Sequence, residues 1–209
     1  MKLRPFHHRT LAVCAVIAGF AASASAATPA VATINPFGTV DTSWCTNPLL
    51  SQPFLDQGDA NQYMLVPGQS PENFDGAGWT LTGGAQIVSA TLADGATGSV
   101  LDLPSGSRAI SPTVCIREDY PDARAMVRGV TGPEGLSFQV SYQGRRSWVS
   151  PKATGHLHGK QTDWILSAPV HVKPSQIPGW QPVRFTLVPN GKDGETQVYD
   201  FYVDPRMKR

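Results

Sequence analysis

Leu136, Phe138, Val140 and Tyr142 alternate without a fault with Ser137, Gln139, Ser141 and Gln143, the period of two that marks a strand with one buried and one wet face. Val183, Phe185 and Leu187 repeat the pattern against Arg184 and Thr186, and Tyr199, Phe201 and Val203 alternate with Asp200, Tyr202 and Asp204. That last alternation places Tyr199 inward beside Phe201. Shorter strands are predicted at 63–66, 78–82, 85–90, 99–103, 108–111, 123–130 and 164–172. Breaks rich in Gly, Pro, Asn and Asp separate them, among them Gly83-Gly84, Asp94-Gly95, Gly132-Pro133 and Asn190-Gly191, residues that accept positive φ or preset a turn. About nine short strands, with no amphipathic helix and no alternation of strand and helix, predict an all-β chain: an antiparallel β-sandwich of jelly-roll type.

Composition agrees with that class and narrows the partners. Of 209 residues 16% are charged, and Gly 20 with Pro 18 supply frequent turns, against roughly 25% charged residues in an average soluble domain. The formal net charge of +1 gives no overall field to gather nucleic acid or an anionic membrane. Lys2, Arg4 and Arg9 precede an apolar run from Leu11 to Ala22 and the small residues Ser23-Ala24-Ser25-Ala26-Ala27. This is the pattern of a secretory signal peptide, cut after Ala26. The run is shorter than the ~20 residues of a spanning helix. It continues past Cys14, and Val13 is bulky where a lipoprotein signal wants a small residue. Residues 27–43 then form an extended arm, 44–206 a single sandwich domain and 207–209 a basic tail, with a secreted, extracellular location and no membrane span.

Export leaves Cys45 and Cys115 as the thiols of the mature chain. An isolated pair in an oxidising compartment points to one disulfide. Two buried free thiols are the alternative.

Cys45-Thr46, Leu50-Ser51-Gln52-Pro53-Phe54, Tyr63-Met64-Leu65-Val66-Pro67-Gly68, Gly78-Trp79-Thr80-Leu81-Thr82-Gly83-Gly84, Leu101-Asp102-Leu103-Pro104-Ser105-Gly106 and the closing Tyr199-Asp200-Phe201-Tyr202-Val203-Asp204-Pro205-Arg206 together resemble a family of secreted actinobacterial proteins of unknown function. That family is in turn similar to the galactose-binding-like jelly rolls of carbohydrate-binding modules. Asn73-Phe74-Asp75-Gly76 ahead of Gly78-Trp79, and the closing strand, carry the second likeness. It implies carbohydrate binding without catalysis. Many such modules hold a structural calcium between an early acid and a closing-strand Asp, positions that fall here on Asp75 and Asp200. Calcium wants six to eight oxygen ligands, and Tyr199 stands where the first acid of the closing pair belongs, so no cofactor is expected, with a structural calcium at Asp75 and Asp200 as the alternative.

No Gly-x-Ser-x-Gly elbow, His-Glu-x-x-His, P-loop or dinucleotide fingerprint occurs. His156 and His158 are spaced to share one strand face, but two ligands make no metal site, and flanking glycines suggest a wet loop. Glu118-Asp119 reads as an acidic solvated loop. Aromatic rings are the better candidates, because flat side chains stack on the apolar faces of pyranose rings while a few polar groups fix orientation. Trp148 beside Arg145 and Arg146, with Tyr142 and Trp164, forms the candidate ligand set. Trp79 reads as a core anchor, and Trp44 as cover for the disulfide. The sequence thus predicts a secreted, non-catalytic module for carbohydrate or cell-envelope glycan. A structural or protein-interaction domain of the cell surface is the alternative, and a hydrolase the next.

Overall fold

The computed structural model describes residues 40–117, 122–132, 135–149, 155–172 and 179–204. The expected signal peptide, most of the expected arm, Glu118-Asp119 and the expected basic tail lie outside the described residues. Sixteen strands are present: β1 Met64–Leu65, β2 Gln69–Ser70, β3 Asn73–Phe74, β4 Thr80–Thr82, β5 Gln86–Thr91, β6 Thr97–Pro104, β7 Arg108–Ile110, β8 Val114–Ile116, β9 Asp122–Thr131, β10 Leu136–Gln143, β11 Trp148–Val149, β12 Gly155–Leu157, β13 Ile165–Leu166, β14 Val170–His171, β15 Gln181–Pro189 and β16 Glu195–Val203. Six of these are six residues or longer and correspond to the strongest alternations. The surplus over the expected nine consists of pieces two or three residues long. The single strand expected over 164–172 is split into β13 and β14, both paired to β9, with Ala168-Pro169 between them, where a ladder N–H is lost.

The strands form two sheets, giving an antiparallel β-sandwich of jelly-roll type with one disulfide. The nine-stranded sheet runs β13-β9-β16-β6-β3-β2, with β1 on β16, β14 on β9 and β5 on β6. The seven-stranded sheet runs β11-β10-β15-β7-β4, with β12 on β10 and β8 on β15. All named pairs are antiparallel except β3 with β6. Among the described residues no helix is long and apolar enough to cross a membrane.

The core is an aromatic stack between the sheets. Phe138 of β10 and Phe185 of β15 lie offset-stacked with ring centroids 5.4 Å apart, and Phe201 of β16 meets Phe185 edge-on at 5.4 Å. Trp79 joins Phe74 at 4.9 Å and Phe201 at 6.2 Å, and its indole N–H donates to the Pro67 carbonyl at 2.8 Å. Such edge and offset contacts add to the burial of large rings. Gly68, at φ +85, lets the backbone run under that indole: a Cβ there would sit 2.5 Å from the Ala77 oxygen and 2.6 Å from Trp79 Cδ1.

The closing strand departs from simple alternation. Val198, Phe201 and Val203 face the inter-sheet core, while Tyr199 belongs to a separate cluster on the outer face with Leu92, Val100 and Met126. The expected inward Tyr199 is therefore corrected. An extra residue slips the register against β9 between Tyr199 and Tyr202, with Asp200 in a left-handed conformation at φ 50, as a β-bulge requires.

The Cys45–Cys115 disulfide, Cα to Cα 5.8 Å, ties the leading segment to β8. Downstream of Cys45 the chain packs Phe54 and Tyr63 against Tyr202 of the nine-stranded sheet. Trp44 does not end up as buried cover: its ring is 47% exposed, with the indole N–H on the Asp41 carbonyl.

Candidate functional site

The two outer faces of the sandwich differ in what already covers them. On the nine-stranded sheet, Phe54, Tyr63 and Tyr202 close one end, and Leu92, Val100, Met126 and Tyr199 with Trp164 close another. Between them the polar side chains satisfy one another. Arg124 pairs with Asp59, which also accepts from the Tyr63 hydroxyl at 2.7 Å. Burial works against the Asp59 anion, yet bonds from Tyr63, Asn61 and Arg124 together hold its carboxyl below the usual range. Arg128 donates twice to Gln197 Oε1, at 2.9 and 2.7 Å, and Gln197 in turn donates to Asp102 at 3.0 Å.

The seven-stranded sheet is different. Its outer face carries the polar halves of the alternating strands, and the strand register brings them into rows. Gln139 pairs with Thr186, Thr186 with Ile110 and Ile110 with Thr80, a line of four residues crossing β10, β15, β7 and β4 over roughly 14 Å at the usual strand spacing. One two-residue step along β15 lies Arg184, opposite Ser141. One step the other way lies Arg108, opposite Thr82 on β4. Trp148 enters from β11, opposite Gln143, at the end of a turn closed by Gly144 N–H donating to Ser147 O at 2.9 Å.

These residues line one groove of about 230 Å³: Arg108, Ile110, Gln139, Trp148, Arg184 and Thr186, with Ser141 beside them. The Arg184 guanidinium lies 4.2 Å from the centre of the Trp148 ring, a cation–π contact, and its Nε donates to Thr113 Oγ1 at 3.3 Å. Ring and guanidinium thus hold each other in place without a carboxylate. The groove is smaller than the ~300–1,000 Å³ of sites that enclose small ligands.

Of the candidate residues, the structure brings Trp148 into this groove, with Arg145 and Arg146 exposed at the tip of the adjoining turn. Tyr142 is on the opposite side of β10, 5% exposed in the core, where burial pushes its phenol up to about 12. Trp164 sits on the other sheet, edge-on to Tyr199 at 4.7 Å, under Arg128 at 4.6 Å, its indole N–H on Thr91 O. No local signal in the sequence marks Arg108, Arg184, Gln139, Ser141 and Thr186 as site residues. Their outward positions were readable from the alternation, but their convergence depends on the pairing of β10, β15 and β7.

Asp75 and Asp200 fall in different local roles. The Asp75 carboxylate accepts from the Ala77 N–H at 2.7 Å and so holds its own turn; Asp200 accepts from the Glu72 N–H at 2.9 Å. Burial first, and the Glu72 carboxylate second, push the Asp200 carboxyl up. Among the described residues no three His, Cys, Asp or Glu side chains gather as a cation site. His156 and His158 stand with ring centres 6.1 Å apart on the exposed side of β12 and beyond it.

One pair of carboxyl groups does converge. Burial first, and the Asp102 carboxylate second, push the Glu195 carboxyl up, while Gln86 donates to Asp102 Oδ2 and Gln197 to its Oδ1. Glycoside hydrolysis needs carboxyl groups about 5 Å or more apart, with substrate or water between them. Asp102 is 5% exposed, with both its oxygens hydrogen-bonded by Gln86 and Gln197.

No protein-family model matches the chain, and no curated protein matches it. Among solved structures it is similar to a CBM22-1 xylan-binding domain from Paenibacillus barcinonensis, at 12% identity and a TM-score of 0.42, covering 63% of this chain and 88% of that one. It is similar to a family 16 carbohydrate-binding module at 15% identity and a TM-score of 0.42, covering 66% and 97%. A family 11 module of a cellulosomal cellulase from Clostridium thermocellum matches at 10% identity and a TM-score of 0.37, covering 63% and 89%.

Proposed function

We propose that this protein is a secreted, non-catalytic module that binds a carbohydrate chain across the outer face of its seven-stranded sheet. The observation that carries the reading is the groove itself, where a half-buried indole steadied by Arg184 adjoins a row of Gln139, Thr186 and Ile110. An aromatic face flanked by a few neutral hydrogen-bonding groups is what a sugar ring, with apolar faces and a hydroxyl rim, requires. Secretion is supported by the basic, apolar and small-residue succession at the N-terminus, and the Cys45–Cys115 bridge suits an oxidising compartment. The role without catalysis fits the burial of Asp102, whose two carboxylate oxygens are taken up by Gln86 and Gln197.

The test is a glycan array and insoluble-polysaccharide pull-down with wild-type protein and Trp148→Ala, each with calcium and with chelator. Saturable binding that falls at least about tenfold in the variant, and is indifferent to chelator, is expected for loss of one aromatic platform. Binding unchanged in Trp148→Ala would move the site elsewhere. Absence of binding to every glycan would leave the surface-scaffold alternative.

A further inference from the structure

Charge is divided unequally between the two sheets. The chain holds 17 basic and 16 acidic residues, close to balance, yet β4, β7, β8, β10, β11, β12 and β15 contain not one Asp or Glu. The acids in strands, Asp102, Asp122, Glu195 and Asp200, all belong to the nine-stranded sheet. That sheet's arginines are engaged locally: Arg124 with Asp59, Arg128 with Gln197 and the Thr91 carbonyl. On the seven-stranded sheet, Arg184 and Arg108 stand on either side of the Thr186–Ile110 pair. Four residues of strand rise and one strand spacing separate their Cα atoms by roughly 14 Å. Both side chains nevertheless line the same groove, so they bring positive charge over it from two sides. Arg145 and Arg146 extend the positive side past Trp148.

From this segregation we propose that the ligand is a carboxylate-bearing polysaccharide, a chain of uronate sugars. The inference rests on the carbohydrate reading above and specifies its substrate class. A guanidinium presents a planar fork that matches a carboxylate with two parallel hydrogen bonds. Arg184 is already oriented by the Trp148 ring and Thr113, so little side-chain freedom is lost when it engages. Thr186 between the arginines, with Gln139 beside it on β10, meets uncharged hydroxyl groups of the sugar. A nucleic acid fits less well: it draws its affinity from several phosphates at once and from an extended basic field, and the protein's net charge is +1.

Affinity electrophoresis and titration calorimetry decide it. The protein is challenged with polygalacturonate and alginate, with methyl-esterified polygalacturonate that keeps the backbone and loses the charge, with neutral xylan and with a double-stranded DNA fragment. Each is run at low and high NaCl with wild type, Arg108→Gln and, as a control in an exposed turn, Lys192→Gln. The expected result is binding to a uronate polymer about tenfold or more tighter than to its ester, weakened about tenfold by Arg108→Gln, weakened by salt and indifferent to Lys192→Gln. Equal or tighter binding of xylan or ester, insensitive to Arg108→Gln, would overturn the uronate inference while leaving the carbohydrate reading intact. DNA binding as tightly as the uronates would reduce the face to unspecific charge and overturn it as well. Failure of all the polysaccharides would instead overturn the carbohydrate reading itself.

Discussion

Alanine at Gly68 is a severe test of how the core is anchored. Gly68 has φ +85, and an added Cβ would lie 2.5 Å from the Ala77 oxygen, 2.6 Å from Trp79 Cδ1 and 2.8 Å from Trp79 Nε1. The indole cannot retreat freely, since its N–H is on Pro67 O and its ring is packed against Phe74 and Phe201. Gly95 supplies the control: its φ is +87, almost the same, and nothing lies within 4 Å of the Cβ site. Each substitution costs about 1–2 kcal/mol for a left-handed alanine, reduced alike by the lower entropy of the unfolded chain. Gly68→Ala adds an overpacking cost of about 1–3 kcal/mol. Urea unfolding followed by tryptophan fluorescence, with the disulfide intact, should therefore give Gly68→Ala a lower midpoint than Gly95→Ala by that extra amount, with the slopes unchanged. Two variants within about 0.5 kcal/mol of each other would refute the tight fit of Trp79 over Gly68, since that is the scatter of ordinary surface changes.

Other outcomes follow from other parts of the molecule. Cys45→Ser with Cys115→Ser opens a loop with a sequence separation of 70 and should cost roughly 4 kcal/mol of stability on the chain-entropy account, read as a fall in the unfolding midpoint; an unchanged midpoint would show that the leading segment needs no tether. Glu195→Gln should stabilise the protein at neutral pH. The folded carboxyl is raised by burial and by Asp102, so the folded state binds more protons than the unfolded one across the window above the ordinary carboxyl value of 4.5, and stability falls as pH rises through it. The gain should vanish when melts are repeated below that value, and a gain that persists there would assign the effect to packing. Phe201→Ala removes a ring in contact with Trp79, Phe138 and Phe185 and should cost about 3–5 kcal/mol by denaturant titration, against less than half of that if the site collapses around it.

The long strands were the legible part of the fold. β10 spans the residues its alternation indicated, because one face is buried throughout and the other, apart from Ser141, is half-exposed. The same reasoning misplaced Tyr199, since a bulge at Asp200 inserts a residue that no two-residue period can encode. The pieces β2, β3, β11 and β12 are too short to show a period, and their assignment comes from the neighbours they pair with. The site followed the same rule. Trp148 stood out as an aromatic beside Arg145 and Arg146, a local signal. Trp164 gave an equal local signal, yet packs under Arg128 on the other sheet. Arg108 and Arg184 are 76 positions apart and share a groove only through the pairing of β7 with β15, which a single sequence does not reveal.

Hydrogen–deuterium exchange with and without a bound polysaccharide tests the central claim most directly. Slowed exchange should appear in the Gly144–Ser147 turn, in β11 and on β7 and the edge strand β4, which surround the groove, with the nine-stranded sheet unaffected. Protection confined to the segment 48–66 or to β5, on the opposite sheet, would contradict the assignment of the binding face.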